Sequence, residues 1–204
     1  NNVLTYIPDR YQEGYGISTK SIDYAVSKEI NLIIALDCGI QAIDKVEYAK
    51  GKNIDFIICD HHRPSKEIPK AIAVLNPLRE DCQYPYKELC GCAIGFKLVQ
   101  AISSRMGEAI ESIKEYLDLV ALAIVADIVS LTGENRILCY YGLEQINQSP
   151  RPGLKTIVDT LDKDNITPNE LGFYIGPRIN AAGRMESGNI AVELLIEKDL
   201  DKAS

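Results

Sequence analysis

The sequence predicts an α/β protein, a parallel sheet flanked by helices and followed by a mainly helical segment. Three observations carry that expectation. Residues 1–90 alternate short β-rich apolar runs with amphipathic helical stretches. The runs Leu32–Asp37 and Asp55–Asp60, apart from their terminal aspartates, are continuously apolar rather than alternating, as strands covered on both faces are. From Gly91 onward, apolar residues recur at spacings of three and four, the mark of helices packed on one side.

Taken in order, Val3–Ile7 reads as a strand and Asp9–Ser18 as a loop holding Gly14 and Gly16. Ser18 is placed to cap a helix over Thr19–Lys28. The strand Leu32–Asp37 follows, then an amphipathic helix Ala42–Lys50 stopped by Gly51, the strand Asp55–Asp60, and the strand Ala71–Leu75 before Pro77. Helices are predicted over Ala93–Met106, Ala109–Ala126, Asn135–Gln148 and Gly153–Leu161. Thr167–Gly188, with four glycines and two prolines, reads as irregular, and Asn189–Lys198 as a last helix. A boundary between a sheet portion (1–90) and a helical portion (91–204) falls near Gly91, although one compact unit accounts for the pattern equally well.

Composition narrows the function classes. Hydrophobic residues make up 46% and charged residues 25% of the 204, ordinary values for a globular protein with a large core. The longest apolar run, Leu119–Ala126, stops at Asp127, far short of the ~20 residues that cross a bilayer. No membrane partner is expected. No signal-peptide pattern opens the chain, and the cysteines (Cys38, Cys59, Cys82, Cys90, Cys92 and Cys139) match no zinc framework, so a reducing, cytoplasmic setting is the natural reading. Because the first residue is Asn1 rather than Met, the chain reads as an excerpt of a longer protein. A net charge of −7 argues against bulk attraction to nucleic acid, so any such contact must rest on particular residues.

The two histidines are adjacent, in Asp60-His61-His62, directly after the apolar strand Phe56–Cys59. Ligands of open α/β sheets bind at the carboxyl ends of strands, and imidazole beside carboxylate there suits a metal. A surface turn that merely holds both histidines is the plainer alternative. Asp37 occupies the equivalent place one strand earlier, and a right-handed crossover would set it beside His61. It could instead simply cap the next helix. Asp127 ends the apolar helix Leu117–Ala126, where the helix dipole costs a carboxylate up to ~1 kcal/mol. A bound cation or a neighbour such as Arg136 would offset that cost.

Two further segments suit phosphate. Gly91-Cys92-Ala93-Ile94-Gly95 opens a helix whose bare N–H groups could meet an anion, although close packing explains its glycines equally. In Gly176–Arg184, small residues expose backbone while Arg178, Asn180 and Arg184 supply donors suited to phosphate oxygens.

In this order, the pieces resemble the DHH phosphoesterases. The naming motif stands as Asp60-His61-His62. Leu36-Asp37-Cys38-Gly39-Ile40 and Val125-Ala126-Asp127-Ile128-Val129-Ser130-Leu131 resemble two further aspartate motifs of that superfamily. Tyr6–Arg10, Gly14–Ile17, Cys90–Lys97 and Gly176–Arg184 are similar to segments of its single-stranded-DNA exonuclease branch. The resemblance implies that Asp37, His61 and Asp127 bind metal, with Asp60 and His62 completing the catalytic set as supporting carboxylate or phosphate contact. It implies two divalent ions, Mn²⁺ or Mg²⁺, and stepwise removal of nucleotides from the 5′ end of single-stranded DNA in repair and recombination. Gly91, Arg178, Asn180 and Arg184 would contact substrate, and a single-strand-binding protein or a helicase would be a partner.

One departure stands out. The superfamily's first motif, Asp-x-Asp after a strand, is not present: Asp162/Asp164 and Asp199/Asp201 lie in polar segments. The motif is expected upstream of Asn1, and without it the chain by itself is expected to bind metal poorly and to have little nuclease activity. Two other readings are a phosphodiesterase of short oligonucleotides or cyclic dinucleotides, which would lack the Gly176–Arg184 segment, and a non-catalytic DHH-like scaffold in a replication or repair complex.

Overall fold

The computed structural model describes residues 3–9, 11–185 and 188–204, with the side chains of 183–185 outside the description. Two compact units emerge, Pro8–Leu98 and Val99–Ser204 with Asn1–Ile7.

The first unit opens on α1 (Thr19–Ser27), started by a reciprocal cap in which Ser18 Oγ accepts from Ser21 N at 2.9 Å and Ser18 N donates to Ser21 Oγ at 3.2 Å. Then come β1 (Leu32–Leu36), α2 (Ile43–Lys50), β2 (Asp55–Cys59) and β3 (Ala73–Leu75). The three strands are parallel in the order β1-β2-β3, with Leu36 level with Cys59 and Cys59 level with Leu75. This is the predicted parallel sheet. Ala35, Phe56 and Ile58 project from one face into a core shared with Ile22 and Ala25 of α1 and Val46 and Ala49 of α2. Phe56 and Ile58 are fully buried, each stabilising the sheet by ~1.5–3 kcal/mol. On the other face, Leu36 meets Gly95 in the first turns of α3 (Gly91–Met106).

Val3–Ile7 does not form the predicted strand. The segment groups with the second unit, where Ile7 packs over Gly188 while Val3 stays exposed. Among the described residues no strand pairs with it, and propensity alone does not make a sheet.

In the second unit, a 3-10 turn (Ile110–Tyr116) leads into α4 (Leu117–Ala126). The single helix predicted over Ala109–Ala126 therefore tightens in its first half, which buries only Ile113. The second half is buried nearly all round and packs on α5 (Gly133–Gln148). Next come α6 (Pro152–Asp159), α7 (Pro168–Glu170), a π-helical turn (Leu171–Ile175), α8 (Gly176–Met185), α9 (Gly188–Ile196) and α10 (Leu200–Ala203).

The irregular reading of Thr167–Gly188 is thus corrected to helix over the described residues 168–185 and 188. Thr167 and Glu170 form a capping box, and Pro168 sits at the first helical position, where its missing N–H costs nothing. Pro177 stands two residues past the π turn, whose wider ring relieves the clash proline makes with the preceding turn of a regular helix. Buried Leu171 and Ile175 hold that turn in contact with α4. No helix among the described residues is long and apolar enough to cross a membrane.

Candidate metal centre

Each strand of the sheet ends on a polar residue: Asp37 after β1, Asp60 after β2 and Asn76 after β3. The ladder runs one step past the strands. Asp37 N donates to Cys59 O at 2.8 Å, and Asp60 N donates to Leu75 O at 3.0 Å. The strand register therefore sets these residues side by side at the carboxyl edge, where ligands of α/β sheets bind.

Asp60 lies under this edge with 1% of its surface exposed. Its Oδ2 accepts from Ile40 N at 2.9 Å, while Oδ1 accepts from His61 N at 2.8 Å and His62 N at 3.2 Å and pairs with His62 Nδ1 at 2.7 Å. Burial pushes the Asp60 pKa up, but the bonds from Ile40 and His62 outweigh it, and the carboxyl is held below the usual carboxylate range. Asp60 thereby fixes both the Asp37–Ile40 turn and the His61-His62 backbone. With Nδ1 on Asp60, the Nε2 of His62 is the nitrogen left to a cation or phosphate.

Asp37 adopts the left-handed backbone, φ 61°. Its Oδ1 lies 3.2 Å from His61 Nε2. Donor atoms of Asp37, His61 and His62 all lie within 4.8 Å of one another, close enough to share one cation. One carboxylate with two imidazoles is a donor set that divalent transition ions accept. The Cys38 and Cys59 thiols are both pushed up to about 11, by burial first and then by the neighbouring carboxylates, so neither supplies a thiolate here.

Gly91 begins α3 against Asp37. Asp127 closes α4 in the second unit, its N–H donating to Ala123 O at 2.9 Å. The next residue, Ile128, takes φ 56°, a left-handed conformation that a β-branched side chain resists. Arg178 and Asn180 lie exposed on α8, with Arg178 Nη1 donating to Thr160 Oγ1 at 2.6 Å. The side chain of Arg184 lies outside the described residues.

Sequence reasoning missed Asn76 and Gln41. Buried Asn76 donates from Nδ2 to His62 O at 2.8 Å and accepts from Leu78 N at 2.8 Å. Gln41 Nε2 donates to Arg63 O at 2.9 Å. A signal for Asn76 existed: it stands directly after an apolar run, as Asp37 and Asp60 do.

The family model described as "DHH family, N-terminal domain" matches residues 1–124, more than half of the chain. The chain belongs to the DHH family. Among DHH-type relatives, it is 40% identical over 196 residues to the single-stranded-DNA-specific exonuclease RecJ of Bacillus subtilis (strain 168), an overlap covering 95% of this chain and 24% of that protein. It is 36% identical over 215 residues to RecJ of Escherichia coli (strain K12), covering 100% of this chain and 37% of that protein. The chain thus spans about a quarter of one of these relatives and less than two fifths of the other. The DHH fold seen here also matches a crystal structure of exonuclease RecJ bound to manganese, with TM-score 0.87 and 31% identity, covering 97% of this chain and 50% of that one. A crystal structure of RecJ from Thermus thermophilus in complex with Mn²⁺ matches with TM-score 0.79 and 30% identity, covering 90% of this chain and 27% of that one.

Proposed function

We propose that this chain forms the core of a metal-dependent phosphodiesterase that digests single-stranded DNA from its 5′ end. The observation that carries the reading is the Asp37–His61–His62 cluster at the carboxyl edge of a parallel sheet, in a chain similar throughout to RecJ exonucleases. Asp37, His61 and Asp127 would hold divalent ions, Mn²⁺ or Mg²⁺. Two imidazoles in the cluster favour Mn²⁺, because Mg²⁺ prefers an all-oxygen shell. Such an ion supplies a Lewis acid for the phosphate ester.

The chain's own residues do the rest. Asp60 orients both histidines, and its carboxylate keeps a proton on His62 Nδ1, so that Nε2 is the nitrogen presented outward. Arg178, Asn180 and Arg184 would hold substrate phosphates. The sheet portion (1–90) and the helical portion (91–204) together form part of one DHH phosphoesterase domain. In the cell, the reading places the protein in the cytoplasm, in DNA repair and recombination, beside a single-strand-binding protein or a helicase.

The test is direct. The full-length protein with Mn²⁺ should degrade 5′-phosphorylated single-stranded DNA, and His61→Ala should abolish that activity. Activity untouched by His61→Ala, or confined to duplex DNA, overturns the proposal. Turnover of dinucleotides alone would point to the small-substrate branch of the family.

A further inference from the structure

The start of α3 approaches Asp37 more closely than any side chain there would allow. A Cβ built on Gly91 would stand 2.5 Å from Asp37 Cβ and 2.6 Å from its Cγ, with Oδ1 closer still. Real Cβ atoms essentially never approach other atoms within 3.0 Å. Rotating the Asp37 side chain would not relieve the overlap, because Asp37 Cβ, fixed to the backbone, is itself among the overlapping atoms. The backbone has little freedom to yield. Asp37 N is tied to Cys59 O at the end of the ladder, and Ile40 N is tied to buried Asp60. Asp37 already sits in the left-handed region, at φ 61°. Its carboxylate is therefore bounded by His61 Nε2, at 3.2 Å, and by the bare α-carbon of Gly91.

We propose that Gly91 is a positioning residue: by lacking a side chain, it admits the Asp37 carboxylate to the place from which it shares a cation with His61 and His62. This rests on the reading of Asp37 as a metal ligand. It departs from the expectation that Gly91 contacts substrate, because the space beside its α-carbon is filled by Asp37. Any larger residue at 91 must displace the Asp37 backbone or its ligand oxygen.

The experiment is a double-mutant cycle in the full-length protein, read by Mn²⁺ affinity (free Mn²⁺ by electron paramagnetic resonance) and by thermal unfolding without metal. Gly91→Ala should weaken Mn²⁺ binding about 10–100-fold, as losing an orienting contact to a ligand does. It should also lower Tm. Asp37→Gly keeps the left-handed backbone without strain and removes the overlapping atoms. In that background, Gly91→Ala should cost little further Tm.

If Gly91→Ala binds Mn²⁺ as the wild type does while Asp37→Gly abolishes binding, the positioning role is overturned and the ligand reading survives. If Asp37→Gly itself leaves Mn²⁺ affinity unchanged, the ligand reading fails first. An additive Tm cycle also overturns the proposal. Should Gly91→Ala fail to fold, the double variant decides: its folding supports the overlap with Asp37, and its failure to fold overturns it.

Discussion

At the level of single residues, Asp60 is a heavily engaged side chain of the edge. Its four contacts come from the Asp37–Ile40 turn and from His61-His62, so one buried carboxylate orders two loops at once. Asp60→Asn turns one acceptor oxygen into a donor that must face either Ile40 N or the histidine N–H groups. A loss of about 1.5–3 kcal/mol is expected, measured by urea unfolding near neutral pH. The sign of the pH dependence follows from the lowered pKa of Asp60. A depressed folded-state value contributes stability that is present above the unfolded value, near ~4 for aspartate, and is lost as pH falls through the folded one. The Asn variant should therefore show a shallower acid limb than the wild type. Equal limbs would remove Asp60 as the group responsible.

Among the elements, the second unit depends on a comparable buried group. Asp118, 1% exposed in the first turn of α4, receives Arg151 Nε and Nη2, each at 2.7 Å. The same guanidinium donates to Leu195 O of α9 at 3.0 Å and to Glu115 O at 2.8 Å. Arg151, which caps α6, therefore joins that helix to α4 and α9. Arg151→Ala leaves a carboxylate buried without its cation and should cost about 3–5 kcal/mol, checked by chemical denaturation. Asp118→Asn combined with Arg151→Met should recover part of it, since removing both charges is far less costly than orphaning one.

The elements also mark what the sequence reveals and where it falls silent. The strands β1 and β2 and the residues closing them were legible because a parallel strand is apolar throughout, so the first charged residue after it marks its end. Asn76 escaped notice because an uncharged amide after the three-residue β3 is a weak mark. Val3–Ile7 misled because β-propensity does not report whether a neighbouring strand exists. Thr167–Gly188 misled in the opposite way: both prolines and two of its four glycines fall at the first turn of α7 and in or just after a π turn, where helices accept them. The clustering of His62 with Asp37 and His61 was only half legible, since adjacency in sequence does not say which way two neighbouring rings turn.

Over the whole molecule, a net charge of −7 repels polyanions, so on the proposed reading a DNA strand would approach only where cations intervene. Binding of single-stranded oligonucleotide to the full-length protein should therefore weaken sharply when divalent ions are chelated, and recover with Mn²⁺ in fluorescence anisotropy. Affinity indifferent to chelation would show that the substrate is held without the metal centre. Mn²⁺ at a hundred times its Kd should also stabilise the native state by about 2.7 kcal/mol. On the proposed ligand set, that gain should appear as slower amide exchange in β1, β2 and the turns that follow them, and in the last turn of α4, which ends at Asp127.

The pairing of β1 with β2 has one more consequence, for how the polypeptide reaches its native state. Leu36 aligns with Cys59, which sets Asp37 level with Asp60 and leaves its carboxylate 3.2 Å from His61 Nε2. A chain that zipped these strands one residue out of step would shift the two ligand groups apart by ~3.3 Å and reverse which side chains face the core. Mismatched pairings would then hold the cation weakly, and the correct one tightly. On the proposed ligand set, an ion present during refolding would therefore favour the native alignment, adding to the hydrophobic pattern that already disfavours a slip.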